Sequence, residues 1–206
     1  MRQLLFIILG LCTSTFAFTQ CLEIESILVD ACTPGGGGTS CSQEGVNEMV
    51  RFSIGSNDIA VSDLTVNWPN NSFLNWCRNA QTASKTDSLN QTITNGCGFL
   101  VEPLTDTLPA SSSVLAITSE GFCVAANSFD GLSDTLYIIY QCAGNTQGHF
   151  ANGGSGTRTL DFFISGSCTQ TESVSYDRSL LVGGDGATVE FDPAGNATYV
   201  NNGCNA

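Results

Sequence analysis

The chain has 206 residues, with 19 acidic against 6 basic side chains and a net charge of −13. A surface of that sign repels DNA, RNA and anionic lipid, so a nucleic-acid role is excluded. The length suits one domain, and a hydrophobic fraction of 42% supports a sizeable core.

Residues 1–19 read as a secretory signal peptide: Arg2 is the positive start, Leu4 to Cys12 is apolar, and Ala17 and Thr19 are small residues at the cleavage positions. The run is too short to span a bilayer, and no later stretch reaches the ~20 apolar residues that a spanning helix needs. Cleavage before Gln20 leaves residues 20–206 as a single domain, secreted or carried at the cell surface. A lipidated Cys21 is the competing reading, against which Phe18-Thr19-Gln20 makes a poor lipobox.

The mature chain opens with two apolar runs, Leu22 to Val29 and Met49 to Ile54, separated by a polar loop that holds Gly35 to Gly38. This reads as strand, loop, strand. Ile59 to Trp68 alternates partly and reads as a strand stopped by Pro69-Asn70-Asn71-Ser72. Between Asn79 and Ile93 strand alternation is lost; Ala80, Ala83, Leu89 and Ile93 share one side of a short helix or ordered loop. Phe99 to Val101 is a short strand. Thr107 to Ala110 is a turn leading into a strand at Val114 to Thr118.

Thr135 to Cys142 carries the strongest strand signal. Leu136, Ile138 and Tyr140 lie on one face and Tyr137 and Ile139 on the other, which predicts a central strand covered on both sides. Gly144 to Gly156 is loop. Strands follow at Leu160 to Ile164 and Val174 to Tyr176, then a hairpin from Ala187 to Val200 around Asp192-Pro193-Ala194-Gly195-Asn196. About ten short strands with Gly- and Pro-rich turns predict an all-β sandwich.

Nine cysteines follow the leader: Cys21, Cys32, Cys41, Cys77, Cys97, Cys123, Cys142, Cys168 and Cys204. Export at this density predicts disulfides, and the absence of CxxC spacing argues against zinc. Cys77–Cys97 is the favoured pair, because the two flank one compact segment; a loop of that size stabilises by roughly 3 kcal/mol. The remaining connectivity is open. The odd count leaves one thiol free, joined to another chain, or assigned to Cys21.

No catalytic residue is assigned. His149 is the one histidine, there is no Gly-x-Ser-x-Gly elbow, and Gly35 to Gly38 lacks the Lys-Ser/Thr of a phosphate loop. The bland reading of His149 is a loop histidine bonded to its neighbours. No cofactor is predicted beyond calcium: Asp30, Glu44, Asn47 and Glu48 stand at the two ends of the opening loop and offer hard oxygen donors. The competing reading is a hydrogen-bond network that braces the strand entrance. Trp68 continues a buried alternation, whereas Trp76, with Asn145 and His149, is a candidate for a binding loop.

Six segments are familiar together: ILVDAC (27–32), EGVNEM (44–49), VNWPNNSFLNWC (66–77), LSDTLYIIYQCAGNTQGHFAN (132–152), YDRSLL (176–181) and DGATVEFDPAGNATYVNNGC (185–204). The chain resembles an N-terminal module of large exported surface proteins of Bacteroidetes-type bacteria. Those proteins end in a type B sorting domain of the gliding-associated, type nine secretion pathway. It also resembles, through Asn47-Glu48 and the Leu108-Pro109 turn, the lamin-tail-like immunoglobulin sandwich. The chain stops at Ala206 where the module ends, so the resemblance leaves a truncated product or a stand-alone subunit open. It supplies no catalytic residue. It does imply O-glycosylation at Asp-Ser/Thr-apolar sites, with Ser88 and Thr107 as candidates.

The function expected is that of a non-enzymatic surface module of an adhesin-like or gliding- and secretion-associated assembly. Its partner would be an envelope protein or a surface glycan, met through loops 33–47 and 144–157. The alternative is a secreted protein that binds or cleaves glycans.

Overall fold

The computed structural model describes residues 20–34, 40–142, 147–166 and 168–204. The proposed leader and Asn145 lie outside the described residues.

Strand β1 (Leu22–Asp30) pairs antiparallel with β2 (Met49–Ile54), as the opening apolar runs predict. The register shifts between Ile24 and Ser26. That irregularity resets the side-chain phase, so Leu22, Ile24, Ile27 and Val29 all enter the same core although 24 and 27 are out of step. The chain continues through β3 (Ile59–Ala60), β4 (Leu64–Asn67), β5 (Trp76–Cys77), helix α1 (Ala80–Asn90) and β6 (Phe99–Val101). Then come β7 (Thr107–Leu108), β8 (Ser113–Ile117), β9 (Thr135–Gln141), β10 (Thr157–Ile164), β11 (Gln170–Asp177), β12 (Ala187–Phe191) and β13 (Ala197–Asn201).

The strands form an eight-stranded sheet, ordered β13-β12-β1-β2-β8-β9-β5 with β6 also beside β9. A three-stranded sheet, β11-β10-β4, and the pair β3-β7 complete the set. The large sheet is mixed, since β8 and β6 both run parallel to β9. Phe52 of β2 meets Phe162 of β10 with ring centroids 5.2 Å apart, in a core shared by the two larger sheets. The opposite face of the large sheet is covered by Leu89 of α1 and by Phe122 and Phe129 of the segment joining β8 to β9. Strand β9 therefore divides as its pattern predicts. Leu136, Ile138 and Tyr140 join the helix-side core, while Ile139 and Tyr137 face the sandwich core.

Four expectations need correction. Ile59 to Trp68 is not one strand: Val61–Asp63 forms a 3-10 turn between β3 and β4. Thr107 and Leu108 are not a turn but pair with β3. The helix presents Thr82, Thr86 and Leu89 to the core, leaving Ala80 and Ala83 exposed. The two threonines are satisfied there because both hydroxyls donate to the Glu102 carboxylate at 3.0 Å. Finally, the bridges are Cys21–Cys168, Cys32–Cys204, Cys41–Cys123 and Cys77–Cys142, and Cys97 is the free, exposed thiol. Cys77 sits in β5 directly beside β9, so the end of β9, not the chain-near Cys97, supplies its partner.

Two edges are closed by side chains. Asn79 caps α1, its Oδ1 accepting from the Gln81 and Thr82 amides at 2.8 and 3.1 Å. At the other end Asn90 mimics a neighbouring strand. Its Nδ2 donates to Leu100 O at 2.9 Å and its Oδ1 accepts from Leu100 N at 2.8 Å, blunting the edge of β6.

Candidate functional site

The second strand begins at a knot of buried polar groups. Glu48 is 1% exposed, and its carboxylate accepts the backbone amides of His149 at 2.6 Å and Phe150 at 3.2 Å. Burial pushes its carboxyl well above the ordinary range, against the lowering effect of the two amides. The approach is possible because residue 148 is glycine. Its φ is +83°, and a Cβ there would stand 2.6 Å from Glu48 Oε1.

His149 is fully buried. Gln141 holds it: Gln141 Oε1 accepts from Trp68 Nε1 at 2.7 Å and from Leu74 N at 3.2 Å, which turns its amide nitrogen toward the imidazole. Gln141 Nε2 donates to Thr118 O at 2.9 Å and to His149 Nε2 at 2.8 Å. That leaves Nδ1 to carry the proton and donate to Asn70 O at 3.1 Å. Burial, partly offset by the Asn70 contact, holds the imidazole below its usual pKa, so it is neutral. His149 is thus the loop histidine bonded to its neighbours. The binding-loop role assigned to it fails, because no part of the ring reaches solvent.

Asn47 points elsewhere in the same knot, its Oδ1 accepting from Cys123 N at 2.8 Å and its Nδ2 donating to Gln43 O at 3.1 Å. Asp30 and Glu44 meet as a carboxyl pair, and Asn152 Nδ2 donates to Glu44 Oε1 at 2.7 Å. Burial, then the charge of Asp30, pushes Glu44 up to about 7, and burial raises Asp30 as well. Glu44 carries a shared proton near neutral pH.

The four donors proposed for calcium are therefore gathered at the strand entrance, with different roles. Glu48 and Asn47 bind main chain, and Asp30 and Glu44 bind each other. Among the described residues the one set of ligand atoms close enough for an ion is Cys32, Asp185 and Cys204, and the two cysteines there are bonded to each other. The bonds that these opening-loop residues make are those of a brace at the strand entrance, and the charge of Asp185 acts on both Asp30 and Glu44.

Trp68 is buried, in edge contact with Trp76 at 6.3 Å. Trp76 is half-buried and lines a cavity of about 380 Å³ with Phe73, Asn75, Arg78 and Asp106. Ser88 lies half-buried on α1, its hydroxyl donating to Ser84 O at 2.7 Å; Thr107 lies in β7, donating to Thr105 O at 3.2 Å.

Sequence reasoning passed over Gln141 and Asp106. Gln141 carried a signal: an amide ending an otherwise apolar, doubly covered strand must bond internally. Asp106 carried none, since its place beside Trp76 depends on the path of the chain after β6.

No protein-family model, no curated protein and no solved structure matches this chain. Four disulfides fit an oxidising compartment. No helix among the described residues is long and apolar enough to cross a membrane.

Proposed function

We propose that this chain is an exported, non-enzymatic binding module of a cell-surface assembly, of the kind that forms the N-terminal part of large gliding- and secretion-associated surface proteins. Its core is an immunoglobulin-like, lamin-tail-like sandwich to which β5, β6 and α1 are added around β9. The support for that topology is the antiparallel pairing of β1, β2, β8 and β12 over β4, β10 and β11.

The observation that carries the reading is the use made of the reactive side chains. Glu44, pushed up to about 7, is tied to Asp30 and Asn152, and the other acid–base groups, His149 and Glu48, are buried and bonded to loops that they hold in place. Neither has a solvent-facing atom with which to meet a substrate. What remains for function is surface shape, displayed by loops on a rigid, cross-linked frame.

The test uses purified residues 20–206 with oxidised bridges. Fluorescently labelled protein should bind envelope fractions of the source cell saturably, and unlabelled protein should compete it off. The same preparation should leave glycoside, ester and peptide substrates intact. Turnover of any of them would overturn the proposal.

A further inference from the structure

The cavity beside Trp76 lies at the open side of the sandwich, where β4, an edge of the small sheet, faces β5, an edge of the large one. Ile139 of β9 and Leu64, both buried in the sandwich core, are among its apolar lining. Phe73 and Trp76 form one wall, edge to face with centroids 5.1 Å apart. The Trp76 indole nitrogen already donates to Leu64 O at 2.8 Å, so the ring is held still and offers carbon surface only.

The rim is polar and pinned. Asn75 and Asp106 have φ of +68° and +52°, a conformation uncommon outside glycine and one that asparagine and aspartate tolerate best. Each is anchored through its carbonyl, Asn75 O accepting from Cys142 N at 2.9 Å and Asp106 O from Val61 N at 2.8 Å. Their side chains are committed to no other group among the described residues. Arg78 crosses the rim and donates through Nη1 to Leu104 O at 3.0 Å, leaving its other nitrogens available. Glu102 also lines the cleft, with both carboxylate oxygens engaged by Thr82 and Thr86.

An aromatic wall, an amide, a carboxylate and a guanidinium around a cleft of this volume match a small, flat, hydroxyl-rich ligand. A pyranose presents one C–H face for the aromatic rings and an equatorial belt of hydroxyls that both donate and accept. The carboxylate accepts from such hydroxyls and the guanidinium donates to them, in charge-assisted bonds. A chain of net charge −13, with Asp106 on the rim, repels anionic sugars. Resting on the binding reading above, we propose that this cleft binds a neutral saccharide, as the terminal residue of a surface glycan or as a free oligosaccharide.

The test is ligand-observed saturation-transfer NMR on residues 20–206. The probes are glucose, galactose, mannose, N-acetylglucosamine, cellobiose and lactose, with glucuronic and sialic acids as anionic probes. At least one neutral probe should receive saturation at its ring protons. Asp106→Asn keeps the shape and backbone of the rim and should weaken that binding roughly tenfold or more. Asn75→Gly, which suits the positive φ, should weaken it too, and both variants should keep the wild-type circular dichroism spectrum and Tm. Silence from every neutral probe, preference for the anionic ones, or equal binding by Asp106→Asn would each overturn the proposal. Wild-type protein that ignores all sugars yet still coats envelope fractions saturably would remove the saccharide site alone. Failure of both would remove the binding reading with it.

Discussion

Glu48 and Gly148 act as one device: the carboxylate replaces a missing strand partner for residues 149–150, and glycine leaves room for it. Gly148→Ala adds a Cβ at positive φ against Glu48 Oε1 and should cost about 2–4 kcal/mol in denaturant unfolding. Glu44 contributes one step of the pH response, beside Glu48 and Asp30, whose carboxyls burial also raises. Its carboxyl titrates near 4.5 when unfolded and about 7 when folded, so the native chain holds a proton that the unfolded chain has released. The resulting stabilisation is complete below pH 4.5 and is lost as pH rises through 7. His149, held neutral by burial, acts in the opposite sense below pH 6.5, and Glu48 and Asp30 act in the same sense as Glu44, so the Glu44 share is read as the difference between wild type and Glu44→Gln above that pH. The Glu44 share of the fall in unfolding free energy between pH 6.5 and pH 8 should be roughly 0.5–1 kcal/mol. Glu44→Gln, which can still bond Asp30 and Asn152, should flatten that slope in urea titrations at each pH; an unchanged slope would show that another group carries it.

Helix α1 is weakly amphipathic, and its threonine-rich core face is sustained by Glu102 and by Thr86, which lies 3.0 Å from the Tyr140 hydroxyl. Its ends matter accordingly. Removing the cap with Asn79→Ala should destabilise the fold by about 1 kcal/mol. Asn90→Ala exposes both main-chain groups of Leu100 on the edge of β6, and should raise amide exchange at Leu100 while leaving β1 and β2 protected. Equal exchange at Leu100 in the two proteins would mean that packing alone protects the edge.

Across the whole molecule, the four bridges join segments 65 to 172 residues apart. Closing loops of that length stabilises by about 4–5 kcal/mol each in the chain-entropy model, although the contributions do not add independently. Reduction should therefore unfold residues 20–206 at 37 °C, as a loss of near-UV circular dichroism. Denatured, unreduced protein should titrate with one thiol, and peptide mapping should place it at Cys97. Recovery of a Cys77–Cys97 peptide would contradict the β5–β9 pairing.

Elements whose own residues carry the periodicity were legible from the chain alone. The opening strand pair, the two-faced β9 and the hairpin of β12 and β13 follow from alternation and turn chemistry, which are local properties. So was the disulfide-rich character, which follows from cysteine density. The pairing of those cysteines was not, because it depends on which strands become neighbours: β5 lies against β9, far from it in sequence. The same holds for the sites. Asp30, Glu44, Asn47 and Glu48 were read from the two ends of the opening loop as one donor set. Only the packed chain divided them into a carboxyl pair and two main-chain acceptors, because Asn152, His149 and Phe150 arrive from residues more than a hundred positions away. The cleft at Trp76 likewise needs β4, β5, β9 and the segment after β6 at once, and no local pattern encodes a meeting of four segments.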